Sequence, residues 1–114
     1  MSILVTIKYA LIMVAPHLGH AYTLVLADAI KRWQDLRSPS MHCRSSTGTD
    51  EHGTKVAQAA AINNQDPLQW CDLVSSKFLA LSKALNAEAD TFVRTTSIGH
   101  RNAVQHFWVP FLAI

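Results

Sequence analysis

The chain has 114 residues, 49% of them hydrophobic and 16% charged, with ten Lys and Arg against eight Asp and Glu and a formal net charge of +2. That balance excludes a disordered chain and allows one small globular domain with a modest core; the charge is too weak to announce a nucleic-acid partner on its own. Two cysteines, Cys43 and Cys71, stand far apart without C-x-x-C spacing, so they read as small buried hydrophobes and the chain as intracellular.

Residues 1–15 carry a single cation, Lys8, and no acid. Lys8 interrupts the apolar run where a secretory signal would place its charge ahead of one, and the stretch lacks the arginines of a mitochondrial presequence. Pro16 and His17 cut it short of the ~20 apolar residues of a membrane span. Ile3 to Ile7 therefore reads as a buried strand of a parallel sheet. Pro16 then marks a helix start, and Leu18, Tyr22, Val25, Ile30 and Trp33 recur at spacings near three and four, predicting an apolar face that packs on the sheet. Arg37 to Ser40 ends that helix. Met41 to Ser46 reads as a short, polar strand, and Thr47 to Gly53 as a loop with a glycine near each end.

A helix over 54–62 follows, broken by Asn63 and Asn64. Asp66 is an N-cap with Pro67 as first helical residue and Gln69 placed for a capping box. The helix it opens carries Leu68, Cys71, Val74, Phe78, Leu81 and Leu85 on one face, and 86–90 closes it. Thr91 to Thr96 reads as extended. Ser97 caps a last helix that Pro110 ends. Alternation of strands and helices predicts an open α/β sheet with a nucleotide-binding βαβ unit at its start.

Two clusters of residues carry chemistry. In Pro16-His17-Leu18-Gly19-His20 two imidazoles spaced three apart share one side of a starting helix, and Gly19 leaves room for a bulky anion or nucleotide to approach. The N–H groups of the first turn favour phosphate at the same spot. The same pair could instead begin a zinc site, with His52 and Cys43, or sit on a surface. In Thr49-Asp50-Glu51-His52-Gly53 two acids follow a strand end, at the edge of the sheet where such folds bind ligands. Asp50 could meet a cationic ammonium group; alternatively, both acids cap the next helix.

The two motifs in this order, 16–20 and then Gly48-Thr49-Asp50-Glu51-His52-Gly53, resemble class I aminoacyl-tRNA synthetases, and among them methionyl-tRNA synthetase. A third run, Asp90-Thr91-Phe92-Val93-Arg94-Thr95-Thr96 with His100 after it, is similar to the segment this family carries before its connective insertion. The run 103–108, Ala-Val-Gln-His-Phe-Trp, looks like the mitochondrial type. The resemblance implies the first half of a Rossmann-like nucleotide-binding fold, with parallel strands and flanking helices. It implies ATP-dependent activation of methionine to methionyl-adenylate and transfer to tRNA(Met), with ATP as substrate and Mg2+ accompanying it. By the same resemblance His17, Leu18, Gly19 and His20 bind ATP, His17 and His20 are catalytic, Asp50 holds the amino group of methionine, no residue is a resident metal ligand, and no membrane is involved. The implied compartment is the mitochondrial matrix, with the cytoplasm as the alternative.

The likeness covers 15–108; residues 1–14 and 109–114 depart from the family. Where the family carries a threonine-proline stretch, an aromatic and an asparagine, this chain has Lys8-Tyr9-Ala10-Leu11-Ile12-Met13-Val14. The second half of the nucleotide fold, the lysine-rich KMSKS-type loop, the connective insertion and the anticodon-binding domain do not occur within the 114 residues. The expectation is a partial catalytic domain, inactive alone, with one sheet edge and one apolar helix face exposed.

Overall fold

A computed structural model describes residues 2–6, 10–11 and 14–112. In chain order the elements are β1 (Ser2–Thr6), β2 (Ala10–Leu11), α1 (Leu18–Arg37), β3 (His42–Asp50), α2 (Thr54–Ile62), α3 (Pro67–Ala84), β4 (Thr91–Arg94) and α4 (Ile98–Leu112). All strand pairings are parallel, and β3 takes part in each of them. Ser46 pairs with both Thr6 and Thr91, and Thr49 with both Ala10 and Arg94, so β1 and β2 lie along one edge of β3 and β4 along the other. Between β1 and β2 the register shifts by one residue. The sheet is thus three strands wide in the order of the sequence, the first half of a Rossmann-like fold. The predicted strand over 3–7 is β1; Ile7 itself, like Lys8, Tyr9, Ile12 and Met13, lies outside the described residues.

β3 is longer than the sequence predicts. Thr47 to Asp50, read as loop, form its second half. Thr47 and Gly48 pair with β4, Asp50 with β2 and Thr49 with both, and β-branched Thr47 and Thr49 suit a pleated buried strand, so pairing overrides polarity. His42 and Arg44 are exposed while Cys43, Ser45 and Thr47 are buried, the alternation of a strand covered on one face. The molecule measures 47 × 43 × 18 Å. That thickness fits one sheet plus one helix layer, given a helix about 10 Å across. Among the described residues the opposite face of the sheet is open around Leu4, His42 and Arg44, which are exposed.

The core is Val56 and Ala60 of α2 with Trp70, Cys71, Val74 and Phe78 of α3, and Phe92 of β4 packs against it. Of the face predicted for α3, Cys71, Val74 and Phe78 are buried, Leu81 and Leu85 half-buried, and Leu68 is exposed in the first turn. Asp66 caps α3 as expected, accepting from Leu68 N and Gln69 N at 2.9 and 3.3 Å. Asn64 and Asn86 take left-handed backbone angles just past α2 and α3, which a short polar side chain tolerates. Both cysteines are free and buried. Burial pushes the Cys71 thiol up to about 11, with Glu51 adding to the shift, so it stays protonated and unreactive.

The face predicted for α1 is reversed. Leu18, Tyr22, Val25, Ile30 and Trp33 are exposed, and Leu24 and Ala27 are buried instead. The rotation of the helix is set by contacts that hydrophobic spacing does not encode. Lys31 Nζ lies 3.0 Å from Asp90 Oδ1, Arg32 donates to Asn86 O at 2.9 Å, and the His20 ring meets Phe78 edge-on at 4.9 Å. α4 also differs: Ser97 caps it, accepting from His100 N at 3.3 Å, but the helix runs through Pro110 to Leu112. A proline removes one backbone bond to the residue four before it, and so near the end of the helix that loss is tolerated. From Arg101 to Val109 every residue of α4 is exposed.

Asp90 extends the β3–β4 ladder with its side chain. Its Oδ2 accepts from Ser45 N at 2.7 Å and from Ser45 Oγ at 3.1 Å, while Asp90 N donates back to Ser45 Oγ at 3.1 Å. The backbone N–H of Ser45, then Lys31, holds the Asp90 carboxyl below its ordinary pKa. Asp90→Ala leaves the buried Ser45 N–H unpaired and should cost about 1–3 kcal/mol in urea unfolding. Lys31→Met removes only a partly exposed ion pair and should cost less than about 1 kcal/mol.

Candidate active site

Both motifs sit at the carboxyl edge of the parallel sheet. Leu11 of β2 is in register with Asp50, the last residue of β3, and the chain leaving β2 enters α1 at His17. His17 has extended backbone and is the N-cap of α1. Its Nδ1 accepts from Gly19 N at 3.1 Å, and His20 Nδ1 accepts from His17 N at 3.2 Å. The two histidines thus form a capping box with imidazoles in place of the usual hydroxyl and carboxylate. Their ring centroids lie 3.9 Å apart.

This bonding decides what the rings can do. A nitrogen that accepts carries no proton, so each neutral imidazole holds its proton on Nε2 and offers a single N–H donor there. His20 titrates below the ordinary histidine value, chiefly because it is partly buried against Phe78 and secondarily because His17 is beside it. A Cβ at Gly19 would sit 3.0 Å from His17 Cε1 and 3.1 Å from its Nδ1. The imidazole of His17 lies in the space that a side chain at this position would take.

Asp50 is half-buried, and its Oδ1 accepts from His52 N at 3.5 Å. His52 Nε2 lies 3.2 Å from Thr95 O, which ties the loop after β3 to the end of β4. The histidine pair and Asp50 share the sheet edge without bonding to each other. Leu18, predicted beside ATP, is exposed. Among the described residues no three His, Cys, Asp or Glu gather as a group able to hold a metal ion, so the zinc alternative has no ligand set.

Glu51 does not cap a helix. Its side chain is 0% exposed and accepts from Thr49 Oγ1 at 2.6 Å, Arg94 Nε at 2.8 Å and Thr96 Oγ1. Its N–H donates to Thr95 Oγ1 at 2.8 Å. Arg94 Nη2 lies 2.7 Å from Asp72 Oδ1 of α3, an ion pair without the alignment of a hydrogen bond. One buried carboxylate therefore joins β3, β4 and, through Arg94, α3, directly beneath Asp50. Sequence reasoning missed this node. The available signal was Arg94, a lone cation within a β-branched and aromatic strand, whose burial requires an acid nearby.

Parallel strands, a helix entered at the end of the first of them, and polar groups gathered at the carboxyl edge define a nucleotide-binding α/β unit. The model for the family tRNA synthetases class I (M) matches residues 3–113. The mitochondrial methionine–tRNA ligase of Mus musculus is 52% identical over 95 residues, 82% of this chain and 16% of that protein. A probable mitochondrial methionine–tRNA ligase of Neurospora crassa is 51% identical over 96 residues, 83% of this chain and 15% of that protein. A structure of Mycobacterium tuberculosis methionyl-tRNA synthetase in complex with methionyl-adenylate superposes with a TM-score of 0.86 at 40% identity, covering 94% of this chain and 21% of that one. The chain belongs to the methionine family of class I tRNA synthetases and is of the type found in mitochondrial relatives, spanning about one sixth of the length of the two named here.

Two pH responses follow. Protonating Nδ1 of His20 breaks its bond to the cap, so this contribution to stability is complete above the ordinary pKa of 6.5 and is lost as pH falls through the lowered folded value. NMR titration should place His20 below 6.5, and His17→Asn should move it only part of the way back, since burial is the larger cause. For Glu51, burial pushes the carboxyl up, but bonds from Arg94, Thr49 and Thr96 outweigh it and the net shift is downward. Its stabilisation is present above the ordinary value of 4.5 and is lost as pH falls through the folded one. Glu51→Gln should therefore lower stability at pH 7 by about 2–4 kcal/mol and flatten the acid limb of a stability–pH curve.

Proposed function

We propose that this chain forms the part of a methionine–tRNA ligase that receives the α-phosphate of ATP and the amino group of methionine. The observation carrying this reading is the imidazole capping box. It fixes two Nε2–H donors in advance at the carboxyl edge of the sheet, and donors fixed beforehand stabilise charge that develops on a phosphoryl oxygen without reorganising. In the reaction the methionine carboxylate attacks the α-phosphorus, the bond to pyrophosphate breaks, and methionyl-adenylate forms. The acyl group then passes to tRNA(Met).

His17 and His20 donate to α-phosphate oxygens as negative charge builds on them. Asp50 accepts from the methionine ammonium, and holding both reactants in place supplies much of the rate. Backbone groups of 17–20 line the nucleotide's approach. Magnesium would come bound to the phosphates of ATP, as this ion ordinarily reaches such sites. Among the described residues no helix is long and apolar enough to cross a membrane. The mitochondrial names of the relatives favour the matrix as the compartment.

A second reading concerns the 114 residues by themselves and rests on the open face of the sheet. With the site uncovered on that side, they act as a non-catalytic piece that binds ATP weakly at most. Purified alone, the chain should give no methionine-dependent exchange of pyrophosphate into ATP; exchange abolished by Asp50→Ala would overturn that. Substituted for the matching segment of a full-length relative, it should sustain exchange. In that setting His20→Ala should lower the rate about 10²–10³-fold, and Asp50→Ala should lower kcat/KM for methionine about 10–100-fold. Unchanged exchange in both variants would sink the assignment.

A further inference from the structure

The residues around Asp50 are fastened to a single residue beyond another strand. Thr95, the first residue after β4, bonds through all three of its polar groups. Its N–H donates to Thr49 O at 3.2 Å, its Oγ1 accepts from Glu51 N at 2.8 Å, and its carbonyl lies 3.2 Å from Nε2 of His52. A carbonyl can only accept, so Nε2 carries the proton in that last bond. The partners, residues 49, 51 and 52, bracket Asp50 on both sides. On the other edge of β3, Leu11 of β2 is in register with Asp50 itself. His52 N in turn donates to Asp50 Oδ1 at 3.5 Å, so the carboxylate takes its place from the loop that Thr95 holds.

Two of these bonds come from the backbone, which any residue other than proline supplies. The bond from Glu51 N is different, because it requires a hydroxyl at position 95. Glu51 is buried, and a buried N–H needs a partner. Thr96 does not serve in its place, since its own Oγ1 donates to the Glu51 carboxylate. The neighbouring hydroxyls thus divide Glu51 between them, Thr96 on the side chain and Thr95 on the backbone. The histidine pair is held separately, by the bonds of its own cap.

Resting on the reading of Asp50 as the group that meets the methionine ammonium, we infer that Thr95 is a positioning residue for that contact. Its hydroxyl, acting through the backbone of Glu51, fixes where the Asp50 carboxylate stands. A group that must meet its ligand works only when held within about 0.5 Å of the productive geometry. This role differs in its kinetic signature from a purely structural one. Loss of folded protein lowers the number of working molecules, and so the apparent kcat, while KM stays put. A displaced Asp50 weakens the hold on methionine and raises KM for that substrate. ATP, received by the histidines of the other motif, is left as it was.

The test places the chain in a full-length relative, in exchange for the matching segment, and reads pyrophosphate exchange against methionine and ATP in turn. Thr95→Val keeps the shape of the side chain and removes the hydroxyl. It should raise KM for methionine about tenfold and leave KM for ATP within about twofold. Thr95→Ser, which keeps the hydroxyl, should restore the parent value. In an Asp50→Ala background Thr95→Val should raise KM for methionine no further, because two residues that act through one contact are not additive. In the 114-residue chain by itself, Thr95→Val should speed amide hydrogen exchange at Glu51 while the first turn of α1 keeps its protection. The inference is overturned if Thr95→Val lowers kcat alone, if both KM values rise together, if its effect persists in full beside Asp50→Ala, or if exchange at Glu51 is unchanged. A graft without activity, or an Asp50→Ala variant with unchanged KM for methionine, removes the reading of Asp50 and this inference with it. Neither of those results can arise from a failure of Thr95 alone.

Discussion

The Glu51 carboxylate, closed off from water at the end of β3, is the point on which the arrangement of this small domain turns. Taking a charge out of water is costly, and the cost is met only where several donors converge on it. Here Thr49, Thr96 and Arg94 do so, and Arg94 in turn reaches Asp72 on α3. Because these partners come from β3, β4 and the turn after it, the carboxylate is satisfied only when the strands are in their final register. The residue next to it, Asp50, thereby acquires a fixed position at the sheet edge. A second clasp, Asp90 on Ser45 with Lys31, does the same at the opposite end of the β3–β4 pair and sets the rotation of α1.

The histidine pair shows how local backbone chemistry prepares a site. A helix start leaves N–H groups without partners, and a serine or aspartate could satisfy them. Using imidazoles instead consumes Nδ1 of each ring and leaves Nε2–H as its remaining donor, so capping the helix also fixes which nitrogen keeps the proton. Gly19 permits this by giving the His17 ring somewhere to lie. The contact of His20 with Phe78 links the site to the core of α2 and α3. Burial there favours the neutral form of His20, which this bonding requires.

The same molecule is polar and well bonded at the carboxyl edge and on the helix-covered side of β3, yet apolar and open along β1 and the outer face of α1. Large exposed apolar surfaces on a small unit mark places where another surface belongs. Exclusion of water is what gives fixed dipoles their strength, so a surface lying on the open side would strengthen the polar contacts at the carboxyl edge.

By itself the sequence determined the elements other than β2, and their order. The caps at Asp66 and Ser97, the breaks at Asn64 and Asn86, the alternation of strands and helices, and two motifs in a telling order are all local signals, carried by backbone preferences over a few residues. The family was legible for the same reason, since its motifs are short and contiguous. Only tertiary structure decided which face of α1 is buried, how far β3 extends, and that Glu51 is a buried anchor while its neighbour Asp50 stays half-buried at the sheet edge. Those outcomes depend on pairing between residues far apart in the chain, 45 and 90 or 51 and 94. A polar residue looks the same in sequence whether water or a distant arginine satisfies it.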